Sequence, residues 1–281
     1  MMTENLVLLR KSRQTTEQKK GRIMILGLIR NIGQASLSFM AAVGKISLFT
    51  FAAVRWSVAP PFYGGQLGRQ ILDIGFFSLP VVGLTTLFSG LVLALQSYTG
   101  FARFSAEDTV ATVVVLSVTR ELGPVLAGLM VAGRIGASMA AEIGTMRVTD
   151  QIDALDTLST RPMQYLVAPR LIAGTLCLPI LVLIGDIIGV LGGYLVGVYQ
   201  LNFNPSLYLS RTMQYLEFSD ITLGFVKAAV FGFLIALMGC YHGYHSGRGA
   251  EGVGVATTNA VVSSSILILI ANYLVTALFF G

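Results

Sequence analysis

The chain has 281 residues, of which 54% are hydrophobic and only 12% charged, with a mean hydropathy of +0.74. A soluble domain carries about 25% charged residues and an unfolded chain still more, so both classes are excluded. The net charge of +5 is concentrated in one short tail beside long greasy runs, which excludes a nucleic-acid-binding body and leaves an all-α polytopic membrane protein.

Residues 1–21 read as a basic cytoplasmic tail. Residues 10–22 hold Arg10, Lys11, Arg13, Lys19, Lys20 and Arg22 against Glu17 alone, and such segments stay inside and are drawn to anionic lipid. No signal-peptide pattern is read in it. From 22 to 60 the apolar sequence is interrupted by Arg30, Lys45 and Arg55. Its longest uncharged run, Asn31 to Gly44, has 14 residues, short of the roughly 20 that a crossing needs. The segment is therefore expected to be an amphipathic interfacial helix ended by Pro60-Pro61. The alternative is a first true span with snorkelling ends.

Residues 61–281 form the membrane domain, with five predicted spans. Residues 74–102 carry no charge; 109–143 carry Arg120, Glu121, Arg134 and Glu142. Residues 171–199 carry Asp186, 221–241 carry Lys227, and 253–281 carry none. With the amino terminus inside, the inner loops hold Arg147, Arg161, Arg170 and Arg248, and the outer ones Arg103 and Arg211. That asymmetry fits a cytoplasmic amino terminus and a periplasmic carboxyl terminus.

Three spans carry small residues at a spacing of four: Gly128, Ala132, Gly136, Ala140 and Gly144; Gly185, Gly189, Gly193 and Gly197; Gly224, Ala228, Gly232 and Ala236. Such stripes let helix backbones approach closely in lipid, so a tightly packed bundle is expected.

Ionisable groups within a span cost about 2.5–3.5 kcal/mol each at the helix centre, so they pair or serve a function. Counted from the span ends, Gln96, Arg120, Glu121, Asp186 and Lys227 all fall in the outer half of the bilayer. A Glu121–Lys227 pair would remove two uncompensated charges. It reads either as an ion pair that locks the fold or as part of a polar patch in a greasy cavity suited to an amphipathic ligand.

In the loop after the second span, residues 148–157 predict a short acidic amphipathic helix. Val148, Ile152 and Leu155 share one stripe, Thr149 can cap the start, and Asp150, Asp153 and Asp156 take the other side. Acidic faces are repelled by anionic lipid, so docking to a partner is expected. Cys177 and Cys240 sit in separate apolar runs as core residues. His242 and His245 are too few for a metal site, so no metal is expected. The chain has no GxxxxGK[ST] pattern; it is not expected to be an enzyme, and nucleotide energy would come from a separate subunit.

Three runs support a family resemblance: Arg120-Glu121-Leu122-Gly123-Pro124, Ala132-Gly133-Arg134-Ile135-Gly136, and the stretch from Ala141 to Leu155 that reads AEIGTMRVTDQIDAL. Together with the ending Thr276 to Gly281, they resemble the MlaE (YrbE-like) family of ABC-transporter permeases, over about residues 22–281. The resemblance implies a homodimer bound to a cytoplasmic ABC ATPase dimer and a periplasmic MCE-domain protein, often with a STAS-domain subunit. It implies movement of phospholipid between the bacterial inner membrane and the periplasmic partner, maintaining outer-membrane lipid asymmetry. ATP would act through the ATPase, with no cofactor on this chain. The interfacial helix would be the family's elbow and 148–157 its coupling helix. Gln96, Phe104, Arg120, Glu121 and Lys227 fall where the family lines its lipid cavity, although Phe104 replaces a frequent Tyr. The rival readings are an ATP-independent secondary transporter or channel using Glu121, Lys227 and Asp186, and an intramembrane enzyme, for which no nucleophile–base pair is visible.

Overall fold

The computed structural model describes residues 40–104 and 106–280, with Arg30, Gly33, Gln34 and Ser36–Ser38 ahead of them. The basic tail and the Phe104 side chain lie outside the described residues. Every regular element among the described residues is helical. The described residues up to Phe51 and those from Ala52 onward belong to two separate units, and the second carries the site.

Six helical segments are long and apolar enough to cross a membrane: Ser36–Val58, Gly64–Phe101, Glu107–Val148, Met163–Gln200, Phe218–Tyr244 and Gly249–Phe279. The last five hold the five expected spans. The first (α1) covers the segment read as interfacial, and its 23 residues suffice by length and composition for a crossing.

The remaining helices, in chain order, are α2 (Gly64–Ile74), α3 (Leu79–Phe101), α4 (Val110–Ser117), α5 (Gly123–Val131), α6 (Ala137–Val148) and α7 (Gln151–Thr157). They are followed by α8 (Ala168–Leu195), α9 (Pro205–Tyr215), α10 (Phe218–Tyr244) and α11 (Gly249–Phe280). Pro124 and Pro169 follow π-turns, inside the continuous runs Glu107–Val148 and Met163–Gln200, where each withholds an N–H from the carbonyl four residues back. Two punctuated helices frame the sequence loops. Asn204 caps α9 by accepting from Ser206 N at 3.0 Å and Leu207 N at 3.4 Å. Glu217 and Asp220 form a reciprocal capping box on α10.

The second span is one long helical run, Glu107–Val148, broken by two π-turns at Val118–Leu122 and Ala132–Gly136. Each π-turn contains one of the span's arginines, Arg120 or Arg134. Such one-turn insertions occur frequently at functional sites.

Around this run, α8 packs against both α3 and α10, and α11 against α10 and α6. The small-residue stripes serve these contacts within the chain. A Cβ on Gly232 would strike the Gly174 carbonyl, so the backbones of α10 and α8 meet there directly. A Cβ on Gly189 would lie 3.1 Å from the Thr86 carbonyl, and one on Gly193 2.5 Å from Val114 Cγ1. Gly185 faces Thr86 and Val82; Gly128 faces Phe231 and Ile268; Gly136 faces Ile235 and Ser264. Cys177 and Cys240 are buried free thiols. The outer surface is apolar: Leu84, Phe88 and Val92 on α3, Ile180 and Ile187 on α8, and Ile266, Leu269 and Leu274 on α11 are all exposed. A water-soluble protein would not display such a surface; lipid tails cover it at no cost.

Candidate functional site

The site begins with a proline. Pro124 has no N–H to give to the carbonyl four residues back, that of Arg120. Lys227, wholly buried on α10 at 0% exposure, fills the gap: its Nζ donates to the Arg120 carbonyl at 2.8 Å. The same ammonium donates to Glu121 Oε1 at 2.8 Å. The expected Glu121–Lys227 pair is therefore present, and the lysine serves backbone and carboxylate together.

Helix α11 completes the cluster. Asn272 Nδ2 donates to Glu121 Oε2 at 2.9 Å, and Thr276 Oγ1 donates to Glu121 Oε1 at 3.2 Å. One carboxylate thus joins three spans. Arg120 points elsewhere, its Nε donating to Asp220 Oδ1 at 2.7 Å. Asp220 is fully buried, whereas the Arg120 side chain is 32% exposed. A guanidinium held by a buried carboxylate, with part of its surface open, can attract an anionic group without swinging away.

Asp186 is also close. Its Oδ1 occupies the place that a Cβ on Gly123 would take, and Oδ2 lies 4.0 Å from the same point on Gly224. The approach requires glycine at 123. Among the described residues Oδ1 has no hydrogen-bond partner. Gln96 is exposed on α3 and its side chain makes no hydrogen bond among the described residues, so it is not assembled with Arg120. Phe104, the remaining cavity residue, lies outside the described side chains.

Asp220, Asn272 and Thr276 were not read from sequence as site residues. The signal for the last two was present: they are four residues apart, on one face of a span that lacks charges. Asp220 was placed in a loop, although Glu217 and Asp220 have the spacing of a capping box.

The segment after the second span differs from expectation at its start. Asp150 adopts a left-handed conformation with φ of 56° and makes no side-chain cap. Thr149 does not cap it either, because its hydroxyl turns back to the Thr145 carbonyl at 2.9 Å. Val148 ends α6, before that reversal, and is exposed; it does not continue the stripe of α7. Ile152 is buried at 1% exposure and anchors α7, with Leu155 half-buried beside it and Asp150, Asp153 and Asp156 exposed. Arg147 Nη1 meets Asp153 Oδ1 at 2.8 Å at the surface. At the opposite end, burial pushes the Tyr208 phenol of α9 up to about 12.

A bundle of apolar helices cross-linked within the membrane by a Glu–Lys–Asn cluster, with a short acidic helix at one end, is the build of a multi-pass membrane permease. Residues 67–278 match the family model described as permease MlaE, and the chain belongs to that family. It is 65% identical over 257 residues to a probable ABC transporter permease of Rickettsia felis, covering 92% of this chain and 99% of the relative. A probable ABC transporter permease of Synechocystis is 41% identical over 212 residues, 75% of this chain and 81% of its own. The intermembrane phospholipid transport system permease protein MlaE of Haemophilus influenzae is 34% identical over 259 residues, 92% and 99% of the two chains.

Proposed function

We propose that the chain is the transmembrane subunit of an ATP-driven phospholipid transporter in the bacterial inner membrane, acting as a homodimer. A cytoplasmic ABC ATPase dimer supplies the energy, and a periplasmic MCE-domain protein, with a STAS-domain subunit in some assemblies, completes the complex. Transport between inner membrane and periplasmic partner maintains outer-membrane lipid asymmetry. The amino terminus is cytoplasmic and the carboxyl terminus periplasmic, with α1 as the interfacial elbow.

The observation that carries this reading is the Glu121–Lys227–Asn272 cluster beside a partly exposed Arg120. It places fixed charge inside an apolar bundle, as an amphipathic ligand requires: acyl chains lie on greasy walls while the head group meets Arg120. Because Glu121 ties the second, fourth and fifth spans together, motion of one is passed to the others. The exposed acids of α7, anchored by Ile152, dock on the ATPase. Its closure pushes α7, the bundles rock, and the cavity expels lipid.

A second reading, an ATP-independent transporter or channel, draws on the unpartnered Oδ1 of Asp186. The test is to purify the full chain from native membranes and identify its companions. An ATPase and an MCE protein in equal amounts are expected; a lone chain that moves cargo in proteoliposomes without ATPase overturns the proposal. Charge reversal of Asp150 and Asp153 should release the ATPase with the membrane domain still folded, and unchanged co-purification removes the docking role. Lys227→Ala should impair transport more than assembly, and normal lipid distribution in that variant reduces the pair to a structural lock.

A further inference from the structure

A second polar site lies at the α7 end of the bundle, about 20 Å along the second span from Arg120 by helical rise. Between α2 and the second π-turn is a cavity of about 270 Å³ lined by Arg69, Gln70, Asp73, Arg134, Ser138 and Glu142 among others. Nothing in the cluster around Glu121 uses these residues.

The hydrogen bonds of this cavity are incomplete in a specific way. Arg134 Nη1 is fixed by the Ser78 hydroxyl at 2.8 Å and the Asp73 carbonyl at 3.1 Å. A guanidinium has five N–H donors; Nε and Nη2 make no bond among the described residues. Gln70 is only 6% exposed, lines the cavity, and its amide has no partner among the described residues. The amide opens onto the cavity, so its N–H donors are available to an occupant that supplies acceptors. Glu142 is already matched by Arg170 Nη2 at 2.8 Å, whereas the Asp73 carboxylate has no ion pair among the described residues. The lining thus offers two arginines and an amide to an anion, and one unmatched carboxylate to a cation.

We infer that this cavity binds a phosphodiester bearing an ammonium group, the head-group chemistry of a zwitterionic phospholipid. The phosphate oxygens accept from Arg134, Gln70 and Arg69, and the ammonium meets Asp73. A planar guanidinium suits two phosphate oxygens at once, and Arg134 is held in place before the ligand arrives. On the orientation proposed above, the site lies in the cytoplasmic half of the bilayer, where a lipid would wait before reaching Arg120. The inference rests on the reading that the chain handles phospholipid.

The test uses the full chain in nanodiscs containing equal phosphatidylethanolamine and phosphatidylglycerol, with retained lipid counted by native mass spectrometry. Wild type is expected to retain phosphatidylethanolamine preferentially. Gln70→Glu, which sets a carboxylate against the phosphate, is expected to reduce retention about tenfold, the equivalent of one charge-assisted hydrogen bond. Asp73→Asn is expected to keep retention and shift it towards phosphatidylglycerol. Should Gln70→Glu fail to fold, Gln70→Leu and Asp73→Asn carry the same test. Soluble glycerophosphoethanolamine separates the sources: competition by it assigns the site to a free phosphodiester, and failure to compete assigns it to lipid. Retention and head-group preference unchanged in the variants overturn the inference and leave the transport proposal standing; loss of the ATPase companion overturns transport whatever these variants do.

Discussion

One helix carries two π-turns, each with an arginine, and they are finished in opposite ways. At Val118–Leu122 the neighbours close in: Lys227 takes the Arg120 carbonyl, Asn272 and Thr276 take Glu121, and Asp220 takes Arg120. At Ala132–Gly136, among the described residues, Ser78 and the Asp73 carbonyl alone hydrogen-bond Arg134, and a cavity lies beside it. The difference follows from the partners at each level. Both turns lie against α10; at the first, α10 and α11 bring a buried lysine and two polar residues, whereas at the second they bring Ile235 and Ser264 to Gly136, and Arg134 turns instead to the Asp73 carbonyl of α2 and to Ser78. A π-turn exposes polar groups, and the surrounding helices decide whether that yields a lock or a vacancy for a ligand.

The comparison is sharpened most by removing the acid of the closed turn. Glu121→Leu leaves the wholly buried Lys227 ammonium with the Arg120 carbonyl alone. Stranding a buried charge costs about 3 kcal/mol or more, so thermal unfolding in detergent should fall steeply. Glu121→Leu combined with Lys227→Met should recover most of that loss. A double variant as unstable as the single would mean that the pair is not what holds this turn closed.

The seam between the two levels gives the next effect. Gly232→Ala forces a Cβ into the Gly174 carbonyl and to 3.1 Å from Leu178 Cβ, a cost of about 1–3 kcal/mol as overpacking. Gly133, inside the second π-turn, has nothing within 4 Å of the same position. Gly133→Ala should therefore be neutral or stabilising by up to about 1 kcal/mol from helix propensity. Equal losses at both positions would show that backbone contact between α8 and α10 is not what fixes the spacing.

Arg134→Leu should be milder than Glu121→Leu. It removes donors from the Ser78 hydroxyl and one carbonyl, a loss of about 1 kcal/mol, and strands no buried charge. Melting curves for the two single variants measure the contrast directly. A larger loss for Arg134→Leu would reverse the assignment of lock and open site.

The span pattern and the Glu121–Lys227 pair were legible because charge in hydrocarbon is rare, and depth brings Lys227 level with only two acids, Glu121 and Asp186. The small-residue stripes were legible for the same reason: repetition at four marks a helix face. Asn272 and Thr276 share one face of an uncharged span at a spacing of four, but that spacing alone does not name Glu121 as their partner. The π-turns were hidden because the bond pattern shifts by one residue while the sequence stays apolar. Pro124 was the available clue, for it denies Arg120 its α-helical partner. The Thr149 cap failed because Asp150 turns left-handed, and a local reversal of that kind breaks a stripe that sequence spacing treats as continuous.

The smallest expected effect bears on the rival function. Asp186 sits against Gly123 at the base of the closed turn, yet Oδ1 takes no part in its network. Asp186→Asn keeps the shape and removes any titration, so stability should stay within about 1 kcal/mol of wild type. If energy arrives from an ATPase through α7, lipid transport by the intact complex should also be unchanged, since no proton needs to pass this carboxyl. An ion relay requires it, and would lose transport in the variant while the fold survives. Measuring both on the same preparation separates the two cases: unchanged melting with abolished transport would make Asp186 the working group and Glu121–Lys227 its support.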